Sequence, residues 1–321
     1  MNSSNGNLST PVLLIIFNKP EKTSQVLNVI SSVRPKELYV LCDGPRSWVY
    51  GEDQLISESK HQIEKVDWNC KIHTNYFSTN LGVTETFNLG INWFFENNES
   101  GIILESDCLP CKDFFYFCEE LLHYYNKDER IWHISGDNHQ RGIVRGDGSY
   151  YFSDIPHIWG WATWKRAWAH YDPKMLDFPE IINTKNFKSH FISTKQYKVW
   201  RSLFTKTYKG IINTWDYQWT YSLIKNNALA IIPNVNLVSN IGFEKDALHT
   251  KDKFSPFANV PVGRLNEIMH PTDVIRDDKA VTYTFYRNIC GRKSIRSIIL
   301  KIYYAMLNRV KYYFNIASGK S

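Results

Sequence analysis

The sequence predicts a mixed α/β fold in which a mainly parallel sheet carries helices on both faces. Short, continuously apolar runs recur in the first third of the chain, at 11–17 (PVLLIIF), 38–42 (LYVLC) and 102–104 (IIL). Runs of this length without polar alternation are typical of strands that are buried on both faces. Segments with helical spacing separate them, and this alternation indicates parallel strands joined by crossover helices.

The same patterns place the other elements in order along the chain. In the first part, helices are predicted at 21–32, 52–66 and 82–97, and a further strand at 71–76. After residue 113 the pattern changes, and helices are predicted at 113–125, 187–208 and 217–226, with strands at 131–135, 150–153, 229–232 and 236–238. A polar, Gly-rich loop is expected at 137–148.

Composition excludes several classes of protein. The chain has 321 residues, 43% hydrophobic and 22% charged, which is ordinary for a globular protein with a sizeable core. A net charge of +6 is no signature of a nucleic-acid binder, so no nucleic-acid partner is expected. The N-terminal residues 1–10 are polar and predict a flexible leader without an apolar signal core, and no run reaches the length of a membrane span. The cysteines lack the rhythm of a disulfide scaffold and are expected to be free thiols in a reducing cytoplasm: Cys42, Cys70, Cys108, Cys111, Cys118 and Cys290.

An acidic segment, Glu105-Ser106-Asp107, directly follows the apolar run at 102–104. Two carboxylates spaced i, i+2 at a strand end lie on the same side of the chain. Such oxygen ligands suit a divalent cation that in turn holds a diphosphate. The alternative is a helix cap or a surface carboxylate, and the position at a strand end favours the functional interpretation.

Two more polar clusters follow predicted strands. Asn18-Lys19 comes after the first strand and Asp43-Gly44 after the second. Ligands of parallel α/β sheets bind beyond the carboxyl ends of the strands, so these clusters and the acidic segment are expected to face one crevice. Asn18-Lys19 and Asp43-Gly44 are also compatible with ordinary turns, and an Asp-Gly turn is common.

The order and spacing of these segments resemble the glycosyltransferases of the GT-A fold. Within that class, the chain is similar to N-acetylglucosaminyltransferase I and to bacterial transferases of surface polysaccharides. The resemblance covers roughly residues 11–250. It is carried by Phe17-Asn18-Lys19-Pro20, Asp43-Gly44-Pro45-Arg46, Asn80-Leu81-Gly82, Glu105-Ser106-Asp107, Trp159-Gly160-Trp161 and Trp215-Asp216-Tyr217-Gln218-Trp219.

The resemblance implies roles for the residues at the strand ends. Asp107 would bind Mn²⁺ or Mg²⁺, which would bridge the diphosphate of the donor, and Glu105 would contact the ribose or a metal-bound water. Asp43 would accept a hydrogen bond from a uracil ring. A late histidine, His249, would complete the metal shell, although a lone histidine is more often structural. The implied nucleotide-sugar-binding set is Phe17, Asn18, Lys19, Asp43, Gly82, Glu105, Ser106, Asp107 and Trp161.

Asp216 is the implied general base. An inverting transferase needs one group to take the proton of the acceptor hydroxyl, and in the resembled enzymes that group follows a Trp and opens a helix. Trp215-Asp216 precedes a predicted helix, so an N-cap role for Asp216 remains the alternative. Of the clustered tryptophans at 159–164, one or two would stack on a sugar, and the rest would fill the core.

The implied organisation is a GT-A catalytic domain at 11–282 and a C-terminal helical extension at 283–321. The domain would comprise a nucleotide-binding half (11–112) and an acceptor-binding half (113–282). The extension is basic and amphipathic, which suits an anionic membrane surface or packing on its own domain equally.

These observations lead to three functional hypotheses. The first is an inverting, metal-dependent transfer from a UDP-sugar, with UDP-N-acetylglucosamine as the first candidate, to a saccharide or lipid-linked saccharide acceptor in surface-polysaccharide synthesis. It would be cytoplasmic or peripheral on the inner face of the plasma membrane. The second is a sugar-1-phosphate nucleotidyltransferase, against which the lack of glycine after the first strand counts. The third is a carbohydrate-binding protein without catalysis.

Overall fold

A central sheet organises the computed structural model, which describes residues 7–243 and 255–290. Within these residues the strands are β1 (Val12–Ile16), β2 (Glu37–Cys42), β3 (Lys71–Tyr76), β4 (Ser100–Glu105), β5 (Cys108–Pro110), β6 (Ile131–Ser135), β7 (Tyr150–Ser153), β8 (Trp161–Trp164), β9 (Leu229–Pro233) and β10 (Val238–Asn240). The helices are α1 (Pro20–Ser31), α2 (Glu52–Ile63), α3 (Val83–Asn97), α4 (Lys112–Tyr124), α5 (Lys165–Trp168), α6 (Phe178–Ile181), α7 (Lys185–Ser189), α8 (Thr194–Tyr208), α9 (Asp216–Lys225) and α10 (Asp278–Thr284), followed by a π-helical turn at Phe285–Ile289.

The large sheet has the order β3-β2-β1-β4-β8-β6-β9-β7. The first four strands run parallel, with Val12 of β1 opposite Leu38 of β2 and Ile102 of β4. Strand β8 is antiparallel to both β4 and β6, β6 and β9 are parallel, and β7 is antiparallel to β9. The predicted mixed, mainly parallel sheet flanked by helices is therefore confirmed.

The hydrophobic core lies in two layers, one on each face of the sheet. All five residues of β1 are buried, and they alternate between the layers. Val12, Leu14 and Ile16 join the layer that contains the buried faces of α1 and α4, whereas Leu13 and Ile15 join the layer of α3. A strand with two buried faces needs apolar residues at every position, which explains the unbroken run in the sequence.

The α3 layer is unusually aromatic. Trp161 stacks on Trp215 with ring centroids 5.4 Å apart, and Trp168 and Trp219 pack nearby at 5.2 Å from each other. Each of these four rings is at most 3% exposed. Much of the high tryptophan content therefore serves the core, and the stack connects β8 to the start of α9.

A small second sheet lies next to the end of β4. Strand β5 begins directly after Asp107 and pairs antiparallel with β10, with Cys108 opposite Asn240. The pairing continues one step beyond the strands, because the Ile241 amide donates to the Asp107 carbonyl at 2.8 Å. This sheet brings the segment after β10 against the acidic segment after β4.

The N-terminal boundary differs from the prediction. Leu8 is fully buried, and its amide donates to the Val33 carbonyl at 2.9 Å. The amides of Ser9 and Thr10 both donate to Oε1 of Glu119 at 2.9 Å. Assigning all of 1–10 to a flexible leader was wrong for these residues, because an apolar side chain and a shared carboxylate attach them to the domain.

The C-terminal region is described only in part. The chain divides into two units after Val281, and of the second unit the structure describes 282–290, the end of α10 and the π-helical turn. The rest of the predicted amphipathic helix, 291–321, lies outside the described residues. Across 7–243 and 255–290, no helix has the length and apolarity that crossing a bilayer requires.

Helix α3 approaches β2 so closely that Gly90 has no room for a side chain. A Cβ atom at Gly90 would lie 2.0 Å from Cδ2 of Leu41, which is fully buried. We expect Gly90→Ala to lower the free energy of unfolding by about 1–3 kcal/mol through overpacking, although alanine is the better helix former. Urea denaturation measures this change. Leu89→Ala on the exposed face of α3 is the control and should shift stability by about 0.5 kcal/mol or less. A Gly90→Ala variant as stable as the wild type would contradict the close packing.

Candidate active site

Three carboxylates converge at the carboxyl edge of the parallel strands. Glu105 ends β4, Asp107 follows two residues later, and Asp216 opens α9. Burial, followed by the charges of Asp107 and Asp216, raises the pKa of Glu105 well above its ordinary value. The charge of Asp216 therefore acts on Glu105, although the two residues are more than one hundred positions apart in the chain.

Asp107 lies between opposing electrostatic influences. Burial raises its pKa, while the charge of Lys22, a hydrogen bond from the Cys108 thiol and the charge of Lys19 act in the lowering direction. Lys22 projects from α1 and is only 9% exposed. Lys19, which the sequence placed in the nucleotide pocket, thus contributes a positive charge beside the acidic segment.

Gly242 shapes the space around Asp107. A Cβ atom at Gly242 would lie 2.0 Å from Oδ2 of Asp107. Any residue other than glycine would therefore displace this carboxylate. The amide of Gly242 donates to Oδ1 of Asn240 at 2.8 Å, which fixes the turn. Sequence reasoning missed Gly242, because its role depends on the pairing of β5 with β10.

The acidic pair fits a hard divalent cation. Glu105 and Asp107 are half-buried and offer oxygen ligands at a strand end, and burial raises the pKa of both carboxyls. Oxygen-only ligand sets suit Mg²⁺ and Mn²⁺. These residues would hold the ion, whereas the predicted ligand His249 lies outside the described residues.

Asp43 has a different role from the predicted one. It is 7% exposed, and its Oδ1 accepts hydrogen bonds from the amides of Gly44 at 2.8 Å and Leu81 at 2.9 Å. Its Oδ2 accepts from Nδ2 of Asn80 at 2.9 Å and from the amide of Gly82 at 3.0 Å. A carboxylate has about four acceptor positions, and the protein fills all of them. The structure therefore does not support Asp43 as a uracil acceptor; it holds the 80–82 loop instead.

Gly82 occupies a backbone conformation that only glycine adopts readily. Its φ of 81° and ψ of 162° place it at the N-cap of α3. Together with the hydrogen bond to Asp43, this conformation directs the start of α3 towards the end of β2. The predicted ligand-binding position of Gly82 is thus at a helix N-terminus on the same edge of the sheet.

The first strand end is organised by a residue that sequence reasoning missed. Glu52 is fully buried and accepts from Nδ2 of Asn18 and from the amide of Arg46, both at 2.8 Å. The Arg46 guanidinium also binds the Glu52 carboxylate and lies 5.6 Å from the Phe17 ring centroid. Although burial acts in the raising direction, the hydrogen bonds from Arg46 lower the pKa of Glu52 overall. Glu52 therefore ties the Asn18 side chain to Arg46 beside the end of β1.

Asp216 is held at the start of α9 by the loop before it. The N-cap position belongs to Trp215, and the Thr214 hydroxyl donates to Oδ1 of Asp216. Oγ1 of Thr84, in the first turn of α3, donates to Oδ1 of Asn213 at 2.8 Å and to the Thr214 carbonyl at 3.0 Å. The alternative of Asp216 as the N-cap is not what the structure shows. The loop before α9 thus fixes the Asp216 carboxylate through the Thr214 hydroxyl.

Trp161 offers no surface for stacking on a sugar. Its ring is 1% exposed and lies between His133, at 5.0 Å, and Trp215, at 5.4 Å. The expected contact with the donor therefore finds no support, and Trp161 serves the core. Trp159 is half-buried, and its ring meets Phe243 edge-on at 5.6 Å.

No protein-family model matches the chain, and no curated protein sequence matches it. Among solved structures, S. aureus TarS 1-349 is similar with a TM-score of 0.39 and 11% identity, covering 70% of this chain and 58% of that one. UDP-glucose pyrophosphorylase complexed with UDP-glucose gives a TM-score of 0.35 and 8% identity, covering 70% of this chain and 90% of that one. The similarity thus spans less than two thirds of the TarS chain, and scores of this size say nothing about activity.

The raised pKa values of Glu105 and Asp107 predict that cation binding releases protons. In the folded protein these carboxyls keep their protons at pH values above the ordinary 4.5 and 3.8, so a cation must displace them. The affinity for Mn²⁺ should therefore rise with pH through the mildly acidic range. Calorimetric titration in two buffers of different ionisation enthalpy counts the protons released. A binding enthalpy that is independent of buffer in mildly acidic solution would contradict the shifts.

Displacement of the Asp107 carboxylate is a second test of this geometry. Gly242→Ala places a methyl group where Oδ2 of Asp107 lies, and we expect Mn²⁺ affinity to fall by about tenfold or more, as for other disturbed metal sites. The control is Ser57→Ala, which truncates an exposed side chain on α2. Equal Mn²⁺ affinities in the two variants would show that Asp107 takes no part in binding.

Proposed function

We propose that this protein is an inverting glycosyltransferase that uses a nucleoside diphosphate sugar with Mn²⁺ or Mg²⁺ and transfers the sugar to a saccharide hydroxyl. The observation that carries the proposal is the convergence of Glu105, Asp107 and Asp216 at the carboxyl edge of a mainly parallel sheet. Two carboxylates on one strand end suit a cation, and a third on a separate helix is available for proton transfer.

The donor would bind at the end of β4. Asp107, with Glu105 beside it, would hold the cation, which when bound neutralises the negative charge on the leaving diphosphate. Lys19 and Lys22 add positive charge at the same place. Helix α3 begins after Gly82, and a helix N-terminus near the donor would favour its negative charge. UDP-N-acetylglucosamine is the first donor to test, on the resemblance stated above.

Asp216 would act as the general base. Its carboxylate takes the proton of the acceptor hydroxyl while that oxygen forms a bond to the anomeric carbon. The bond between the anomeric carbon and the phosphate oxygen breaks, and its electron pair leaves with the nucleoside diphosphate. Attack from the side opposite to the leaving group inverts the configuration, so an α-linked donor yields a β-linked product. The Thr214 hydroxyl that donates to Asp216 orients the carboxylate.

The acceptor would bind beside the loop that carries Asp216. A depression of about 440 Å³ includes Thr84, Lys174, Asn213 and Gln218 in its lining. Hydroxyl, amide and ammonium groups can hydrogen-bond the hydroxyls of a saccharide. The basic segment at 283–321 predicts contact with an anionic membrane. On that basis the acceptor would be lipid-linked, on the inner face of the plasma membrane, in polysaccharide synthesis.

A product screen separates this function from its alternatives. Incubation with nucleotide sugars, Mn²⁺ and saccharide acceptors should release UDP or another nucleoside diphosphate. A nucleotidyltransferase would instead release pyrophosphate from a nucleoside triphosphate and a sugar 1-phosphate. A carbohydrate-binding protein would release neither product.

Two variants assign the roles of the carboxylates. Asp107→Asn should abolish Mn²⁺-dependent donor binding, because it removes an anionic ligand. Asp216→Asn should bind the donor normally but lower turnover by roughly 100-fold or more, the contribution typical of a general base. Glu96→Gln, an exposed acid on α3, is the control and should behave as wild type. Donor binding by calorimetry and turnover by nucleoside diphosphate release measure both effects. Near-normal turnover in Asp216→Asn would place the base elsewhere.

A further inference from the structure

A second cluster of potential metal ligands lies apart from the acidic segment. One carboxylate oxygen of Asp137 and one ring nitrogen each of His139 and His157 lie within 4.8 Å of one another. Asp137 and His139 follow β6, whereas His157 precedes β8, so two different loops supply the ligands. Such a convergence from separate loops does not arise from local chain geometry.

The cluster contains a buried oxygen without a hydrogen bond. Asp137 is 2% exposed, and its Oδ2 has no hydrogen-bond partner in the described structure. Nε2 of His139 lies only 2.9 Å from this oxygen, yet the pair lacks hydrogen-bond geometry. A buried carboxylate oxygen that accepts nothing is costly, because desolvation is not repaid. Two potential ligand atoms that lie close together without forming a hydrogen bond are typical of groups that coordinate the same metal ion.

The remaining polar atoms of the cluster hold its ligands in place. Oδ1 of Asp137 accepts from the amide of Trp159 at 3.2 Å, which leaves Oδ2 towards the histidines. Nδ1 of His157 lies 3.0 Å from the main-chain oxygen of Asp137, and the His157 amide donates to Oγ of Ser135 at 3.0 Å. Outer hydrogen bonds of this kind orient ligands in metal sites. The site is thus built before an ion arrives.

We propose that Asp137, His139 and His157 bind one divalent transition-metal ion of the Zn²⁺ class. Two imidazoles and one carboxylate form a ligand set known for Zn²⁺, and three protein ligands leave a position open for water or for an oxygen of a bound molecule. Two atoms 2.9 Å apart and each about 2.1 Å from an ion subtend about 90° at it, which a four- or five-coordinate site accommodates.

This site differs in chemistry from the acidic segment. Imidazole nitrogens prefer Zn²⁺, Co²⁺ or Fe²⁺ over Mg²⁺, whereas the oxygen ligands of Glu105 and Asp107 suit Mg²⁺ or Mn²⁺. Around the histidines, the His139 ring meets Trp159 at 5.4 Å and Phe257 at 5.1 Å, both edge-on. An ion here would fasten the 136–140 loop to the 154–160 segment independently of any donor. Metal binding at this site is therefore independent of the proposed function.

Cobalt titration tests the site without reference to activity. The metal-stripped full chain is titrated with Co²⁺, whose visible absorption is intense in tetrahedral or five-coordinate sites and weak in octahedral ones. We expect one intense Co²⁺ signal per chain, displaced by an equivalent of Zn²⁺. Asp107→Asn should retain this signal, since the acidic segment is a different site.

Variants of the cluster decide the assignment. His139→Ala, at the most exposed ligand, and Asp137→Asn should each lower Co²⁺ affinity by more than the roughly 10- to 100-fold loss that follows removal of an outer hydrogen-bond partner. The control His123→Ala removes an exposed histidine of α4 and should leave affinity unchanged. Far-UV circular dichroism and thermal unfolding in chelator confirm that each variant is folded. An intense signal that survives in folded His139→Ala and Asp137→Asn, or a wild-type chain without one, would overturn the proposal.

Discussion

Burial of two carboxylates at the end of β4 is the constraint on which the candidate active site depends. Burial is the largest influence that raises the pKa of both Glu105 and Asp107, and the charges of Asp107 and Asp216 add to it at Glu105. Like charges at short distance in a partly buried site cost free energy that the rest of the fold must supply. A protein that needed only a stable fold would gain from neutral residues here. The arrangement is understandable if a cation and a proton-transfer step require it.

The fold supports this arrangement from two sides. Strand β4 is fixed between β1 and β8, and the β5–β10 pairing seats Gly242 against Asp107. On the opposite side, the ring of Trp215 stacks on Phe87 of α3 at 4.7 Å and fixes the start of α9. Rigid elements thus hold the two halves of the site, which is the condition for a preorganised catalytic geometry.

The sequence predicted those features that local patterns encode. Unbroken apolar runs mark strands that are buried on both faces, so the parallel part of the sheet and the acidic strand end were both predictable. The convergence of Asp216 on Glu105 was expected only through a family resemblance, because nothing in the spacing of the chain carries it. Asp43 shows the limit of that approach. The backbone amides of Gly44, Leu81 and Gly82 and the side-chain amide of Asn80 fill the acceptor positions of the carboxylate that the resemblance assigned to uracil.

Other features depend on contacts that a single sequence does not show. Glu52 lies in an ordinary polar helix, and only its burial beside Arg46 and Asn18 shows its role. The strand β8 was missed because the run 159–164 contains bulky rings on both faces, without the alternation of a half-exposed strand. His157 is 20 residues from Asp137 in the chain, so its approach to Asp137 and His139 follows from the positions of β6 and β8.

The most direct measurement is the anomalous difference map of a crystal grown with Mn²⁺ and a nucleoside diphosphate. We expect a manganese peak bound by Asp107 at about 2.2 Å, with the diphosphate on the ion and the Asp216 carboxylate facing the space left for the sugar. A bound nucleotide with no ion at Asp107, or an Asp107 carboxylate turned away from the diphosphate, would contradict it.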